Sequence, residues 1–218
     1  MAKTTAPLFG FAAEGSVGES ITFSQWRGVR YAKRYTKPSN PNTTEQQLTR
    51  GIFAMLNQFW KMSPAGMVNA WTAFAKGRSF VNRNAFIGQN TRLLRQDPPA
   101  TSMVDFIASP GVGGAAPATS IGLTPASEAI DVALGLPGVP TGWTLASSAA
   151  IAFKDQSPED PFTSTIHYVT DAVSPESLSI TGLEAGELYV VAAWLVFTKP
   201  DGSTAYSVSL TDTATPTA

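Results

Sequence analysis

Residues 188–211, LYVVAAWLVFTKPDGSTAYSVSLT, set the fold of the chain. From Leu188 to Phe197 nearly every residue is apolar and many are β-branched or aromatic, which is strand composition. Alternation with period two places Val191, Ala193, Leu195 and Phe197 on one face and Val190, Ala192, Trp194 and Val196 on the other. Neither face is polar, so this strand is predicted to be central in its sheet and buried on both sides. Lys199-Pro200-Asp201-Gly202 follows with hairpin chemistry. Proline presets φ, aspartate bonds nearby backbone, and glycine supplies a positive φ. Residues 204–211 then return as the next strand.

Working upstream, short apolar runs between turn signals predict further strands at 130–134, 143–153, 164–169 and 178–180. That spacing predicts an all-β sandwich of six or seven strands over residues 121–218. Within it, residues 177–196, SLSITGLEAGELYVVAAWLV, resemble the fibronectin type III pattern, in which a strand ends in Leu, a turn carries Gly and a Tyr opens the next strand. Those positions are Leu183, Gly186 and Tyr189. The resemblance implies a tyrosine corner, with the Tyr189 hydroxyl bonded back to the turn. Val132 and Leu134 stand on the strand where that family carries a tryptophan.

Further upstream, residues 97–120, DPPATSMVDFIASPGVGGAAPATS, are rich in Pro, Gly, Ala and Ser and read as a linker, with a short docking segment at 103–107. The charge changes sign here. Residues 1–100 hold thirteen Lys and Arg against four Asp and Glu, whereas residues 101–218 hold two against twelve. The net charge of -1 therefore conceals two electrically opposite halves. On these grounds the chain is expected to be an α+β multidomain protein. It would comprise a basic N-terminal module at 1–96 (a β-arm or hairpin with two or three helices), the linker at 97–120, and an Ig-like or fibronectin type III-like sandwich at 121–218.

The helices of the basic module have clear signals. Thr43 with Gln46 three residues later forms a capping box, and Glu45 suits the first turn. Leu48, Ile52, Met55, Leu56 and Phe59 recur at helical spacing, which predicts an amphipathic helix over 44–62. Ser63-Pro64 reads as the cap and first residue of a second helix that carries Met67, Trp71 and Phe74 and stops at Gly77. A third short helix is expected within 79–95. The three stripes are expected to pack on one another.

Ahead of the helices, SITFSQWRGVRYAKRYTKPSNPNT at 20–43 concentrates aromatic and basic residues. Period two puts Val29, Tyr31, Lys33 and Tyr35 on one strand face and Arg30, Ala32 and Arg34 on the other. Trp26, Arg27, Arg30, Tyr31, Arg34 and Tyr35 are the candidate partner-binding residues. Such a strand could stack bases and neutralise phosphates, but a half-buried strand with a solvated basic face gives the same pattern more often, and between the two kinds of partner a protein is favoured over nucleic acid. Residues 7–23, PLFGFAAEGSVGESITF, read as a hairpin or as an extended arm able to add a strand to a neighbouring sheet.

The composition excludes several classes of chemistry. Cysteine is absent, so there are no disulfides, thiolate nucleophiles or zinc-thiolate sites. His167 is the one histidine and lies in a predicted strand, with no nucleophile elbow to present a serine to it. Asp155, Glu159 and Asp160 share a loop but lack the spacing of a calcium loop. The glycines at 111, 113 and 114 lack the Lys-Ser/Thr of a phosphate loop. No enzyme activity, cofactor or metal is predicted. Neither a secretory leader nor a run of eighteen apolar residues is present, so synthesis in a cytoplasm without membrane insertion is expected.

The first hundred residues, with PLFGFAAEG, ITFSQWRGVRYAKRYTKPSNPNT and FVNRNAFIGQN, resemble structural proteins of tailed phages and prophages that join a basic module to an Ig-like or fibronectin-like domain. The resemblance implies a virion protein that binds other virion proteins and forms homo-oligomers, as capsid decoration or as part of the neck, collar or tail. Two rival readings accompany it. One is nucleic-acid binding through 26–37; the other is a host-surface or glycan-binding role with Trp143 and Phe162 as the aromatic platform.

Overall fold

The structure, a computed structural model, describes residues 2–3, 15–37, 39–96 and 100–218. The chain divides into two compact units, residues 1–42 and 43–218.

The first unit is a small antiparallel sheet of β1 (Ala2–Lys3), β2 (Gly15–Val17), β3 (Ile21–Trp26) and β4 (Val29–Arg34), in the order β1-β4-β3-β2. Between β3 and β4 the two turn residues, Arg27 and Gly28, both have positive φ, 48° and 79°. That left-handed pair matches the twist of a two-residue hairpin. Residues 7–14 of the expected arm lie outside the described residues.

The second unit begins with α1 (Thr44–Met62), α2 (Ala65–Ala75) and α3 (Asn82–Leu94). Thr43 caps α1 as its sequence predicts, its side chain accepting from the Gln46 N–H. The reciprocal half of the box is not formed, since Gln46 Oε1 takes no hydrogen bond. Ser63 closes α1 and gives its hydroxyl to the Phe59 carbonyl, so Pro64, one residue later than expected, occupies the cap of α2.

Among the described residues, nine strands follow. A three-stranded sheet has the order β10-β7-β6, from Ser177–Thr181, Ala129–Gly135 and Ser120–Ala126. A six-stranded sheet runs β5-β12-β11-β8-β9, from Pro110–Val112, Thr204–Val208, Tyr189–Thr198, Thr144–Lys154 and His167–Asp171, with β13 (Leu210–Ala214) also paired to β11. β12 and β13 are one strand interrupted at Ser209. The buried Ser209 hydroxyl takes hydrogen bonds from the N–H groups of Ala108 and Ser109.

The two sheets face each other across a core of Ile130, Val132, Leu134, Ile180, Val191, Leu195 and Phe197, the packing of a fibronectin type III-like sandwich. Val132 and Leu134 are buried in this core, 1% and 4% exposed. The opposite face of the large sheet, carrying Ala149, Ile151, Phe153, Val190, Ala192 and Trp194, shares one core with the helical stripe of Leu48, Ile52, Met55, Leu56 and Phe59 and with Met67, Trp71, Phe86 and Phe106. β11 is therefore buried on both sides, as its two apolar faces require, and the unit has three layers of helices, large sheet and small sheet.

This arrangement differs from the expected division at 97–120. The segment does not separate helices from sandwich; it cements them. Met103 and Phe106 are buried at 0% and 1% exposure, Trp71 Nε1 donates to the Ala108 carbonyl at 2.8 Å, and residues 110–112 form strand β5 of the large sheet. Asp155 Oδ1 accepts from Ser102 Oγ and the Met103 N–H, which ties the start of the segment to the end of β8. Asn90, fully buried on α3, accepts from the Ile107 N–H at 2.7 Å and donates to the Ile107 and Phe86 carbonyls. Asn90→Ala strands these buried backbone groups. It should lower unfolding free energy by about 1–3 kcal/mol, read by urea denaturation, whereas an exposed polar residue would shift it by no more than about 0.5 kcal/mol.

Candidate interaction site

The six candidate binding residues all lie on the small sheet or its turn, but they do not share one face. The register pairs Trp26 with Val29, Ser24 with Tyr31, and Thr22 with Lys33, so these point to one side. Phe23 with Ala32, Gln25 with Arg30 and Ile21 with Arg34 point to the other, joined by Val17 opposite Ile21. Trp26 and Tyr31 are thus back to back with Arg30 and Arg34. Arg27 is in the turn, its guanidinium 5.0 Å from the centre of the Trp26 ring, a cation–π pairing at the hairpin tip. Tyr35 follows β4 and extends its ladder through the N–H bond to the Ser20 carbonyl.

Both faces are therefore mixed. Each carries apolar side chains beside cations, and Phe23 is the only residue of this unit, among those described, that is buried. Trp26 is 65% exposed and Val17 60%, with Ile21 and Val29 also exposed. Large apolar side chains left open beside Arg are what a protein interface core is made of. The alternation in sequence marked the cations, but the partnership of Ile21 and Val17 with Arg34 comes from strand pairing, which period two within one strand does not reveal.

The tyrosine corner of the sandwich forms as its motif implies. The Tyr189 hydroxyl accepts from the Glu184 N–H at 3.1 Å, Leu183 is 2% exposed, and Gly186 has φ 81° while donating its N–H to the Pro216 carbonyl. Tyr189→Phe removes the acceptor without removing the ring. The expected cost is about 1 kcal/mol, seen as an earlier urea midpoint with unchanged slope.

The other candidate residues occupy separate places. Phe162 is 4% exposed inside the helix–sheet core, against Phe59 and Phe153. It cannot form an exposed sugar platform with Trp143, and that version of the glycan reading is corrected. Trp143 instead packs on Phe197 with Lys199 over its ring at 5.2 Å. His167 meets the edge of the Tyr189 ring and lines a polar cleft of about 340 Å³ with Lys154, Thr163, Ser164, Thr165 and Glu184. Lys154 is bonded to Glu184 at 2.7 Å, and that carboxylate raises its pKa above the usual lysine value. Among the described residues no three His, Cys, Asp or Glu side chains are grouped to hold a metal, and no helix is long and apolar enough to cross a membrane.

No known family description matches the chain, and no curated protein does. Among solved structures, one titled "Myokine structure" is similar over 49% of this chain and 100% of its own, at 12% identity and a TM-score of 0.36. The solution structure of the fn3 domain of human collagen alpha-1(XX) chain is similar over 50% of this chain and 90% of its own, at 20% identity and a TM-score of 0.32.

Proposed function

We propose that the chain is a non-enzymatic structural protein of a tailed-phage particle. It binds other virion proteins as capsid decoration or as a neck, collar or tail component, and its small basic sheet is the anchor. The observation that carries the reading is that each face of this sheet carries exposed apolar side chains beside cations while one described side chain, Phe23, is buried. The sheet's Arg residues favour an interface over bare hydrophobic collapse, because Arg both stacks and pairs with carboxylates. The resemblance of the first hundred residues to phage structural proteins supplies the setting, and a basic half joined to an acidic half suits repeated assembly.

Nucleic-acid binding is less well supported by the same geometry. Arg30 and Arg34 lie opposite Trp26 and Tyr31, so neither face combines the full set of stacking rings with the full set of cations. Chemical cross-linking of purified particles followed by mass spectrometry tests the proposal. Lys33 and Lys37, on and just after β4, should link to other virion proteins or to further copies of the chain. Recovery of these lysines unlinked, with links confined to nucleic acid, would contradict it.

A further inference from the structure

The second unit carries an apolar dent on its basic helices and an exposed apolar projection on its acidic half. The dent lies between α1 and α3, a groove of about 480 Å³ lined by Phe53, Asn84, Ile87, Gly88 and Thr91. Phe53 is 53% exposed there. Gly88 makes the groove, since a Cβ added to it would meet nothing within 4 Å. A separate pocket by the first turn of α1 and the end of α3 is lined by Arg50 and Arg95 together with Glu45, and Arg92 is exposed one turn on from Gly88. Residues 44–96 contain seven Lys and Arg and one acid, Glu45.

The projection is the turn after β9. Val173 is 91% exposed, the highest value of any large apolar residue described. It is not held out by a slack loop. Asp171 Oδ1 accepts from the N–H groups of Val173 and Ser174 at 2.7 and 3.2 Å, an Asx-turn that fixes the tip. The same two bonds hold the Asp171 carboxyl below its usual pKa, so the turn is braced at neutral pH and loosens only as pH falls through that lowered value. Glu176 is exposed just beyond, on a half of the chain with twelve acids and two cations.

We propose that the occupant of the groove is a second copy of this chain, with the Val173 turn of one copy seated between α1 and α3 of the next. An apolar tip on an acidic body meets an apolar floor with a basic surround, and electrostatic complementarity of this kind fixes partner and register. The contact is heterologous, because the two patches are on different parts of one molecule. It therefore propagates into a ring if the rotation closes and into an open row if it does not. The inference rests on the assembly role proposed above and gives that role a defined subunit contact.

The absence of cysteine makes the test clean. Val173→Cys and Gly88→Cys are placed together in the full chain, and the purified protein is mildly oxidised. A ladder of covalent dimers, trimers and higher species is expected, while either substitution alone stops at dimer. Ser203→Cys with Gly88→Cys, a control at an exposed hairpin on another part of the sandwich, should give no ladder. Gly88→Gln provides the second arm. It fills the groove at a helical position with open space, so thermal stability should hold or rise, while self-association in sedimentation equilibrium weakens roughly tenfold or more. A wild-type chain that remains monomeric at its solubility limit, or a ladder equally strong with the control pair, overturns the contact. So does a Gly88→Gln chain that associates normally. Loss of particle incorporation by Gly88→Gln in a chain that is monomeric in solution would assign the groove to a different virion protein, and would also overturn it. The cross-linking and sedimentation results do not depend on whether the chain is found in particles, which is measured separately.

Discussion

Phe59→Ala should lower the unfolding free energy of the second unit by about 3–5 kcal/mol, the range for losing a fully buried Phe. Phe59 is 0% exposed, and its ring centre lies 4.7 Å from those of Phe106 and Phe162, 5.0 Å from Phe153 and 6.1 Å from Phe86. Those four neighbours come from the 100–109 segment, the loop after β8, β8 itself and α3. Truncation therefore opens a cavity where helices, connecting segment and sheet meet, and a cluster this interlocked collapses poorly around a void. For a unit of this size the melting temperature should fall by roughly 6–20 °C. The pattern of the loss matters as much as its size. Helix content by far-ultraviolet dichroism and tryptophan fluorescence should fall together in one transition, because Trp71 and Trp194 report from both sides of the same core. An early loss of helix with an unshifted sandwich transition would mean that residues 43–96 and the sandwich are separate domains.

Trp26→Glu should act in the opposite manner, leaving that transition in place and removing assembly. Trp26 is 65% exposed and belongs to the other compact unit, so its replacement should change the stability of residues 43–218 by less than about 0.5 kcal/mol. As the largest open apolar side chain of the small sheet, with the turn residue Arg27 over its ring, it has the character of an interface hot spot, for which truncation costs at least about 2 kcal/mol, or roughly thirtyfold in affinity. A buried carboxylate costs more. When wild-type and variant chains are supplied together during infection, the variant should be depleted at least roughly thirtyfold from particles relative to its share of the soluble pool. Arg34→Glu, on the opposite face beside Ile21, should deplete incorporation as well if both faces are covered. Equal incorporation of both variants would remove the small sheet from the anchor role.

Much of this architecture was legible from side-chain periodicity. Helix α1 begins and ends where Thr43, the Leu48–Phe59 stripe and the Ser63-Pro64 pair place it. The lack of a polar face on residues 190–197 correctly required cover on both sides of β11. What periodicity omits is the identity of the cover. The α1 stripe announces a buried face and so does the Val190, Ala192, Trp194 face, but that one closes the other is a property of tertiary packing. The change of charge sign near residue 100 pointed to a domain boundary because charge describes surfaces, while the core beneath passes through that region without a break. Pro, Gly and Ser in residues 100–126 likewise hid β5 and β6. Gly111, with φ 74°, and Gly113, with φ 78°, shape the backbone where it joins the sheet edge, where linker-like composition serves close packing.

The candidate site was legible in kind and not in arrangement. Trp26, Arg27, Arg30, Tyr31, Arg34 and Tyr35 stand together in sequence, yet only the pairing of β3 with β4 shows that Ile21 and Phe23 share the Arg30 and Arg34 face. Phe162 could not be assigned from its loop position, because the residue is held by Phe59 and Phe153 from distant elements. The groove and the Val173 turn escaped notice for a related reason. Glycine on a helix and a lone valine in a turn carry no pattern until the exposure of each is known.

The most direct measurement for the whole account is the copy number of this chain in gradient-purified particles, by quantitative mass spectrometry against the major capsid protein. The chain should be present at a fixed stoichiometry, either close to that of the capsid protein for a shell decoration or a small constant fraction of it for a neck, collar or tail component. Its absence from particles, with the chain recovered only from the soluble lysate, would contradict the assignment to the virion.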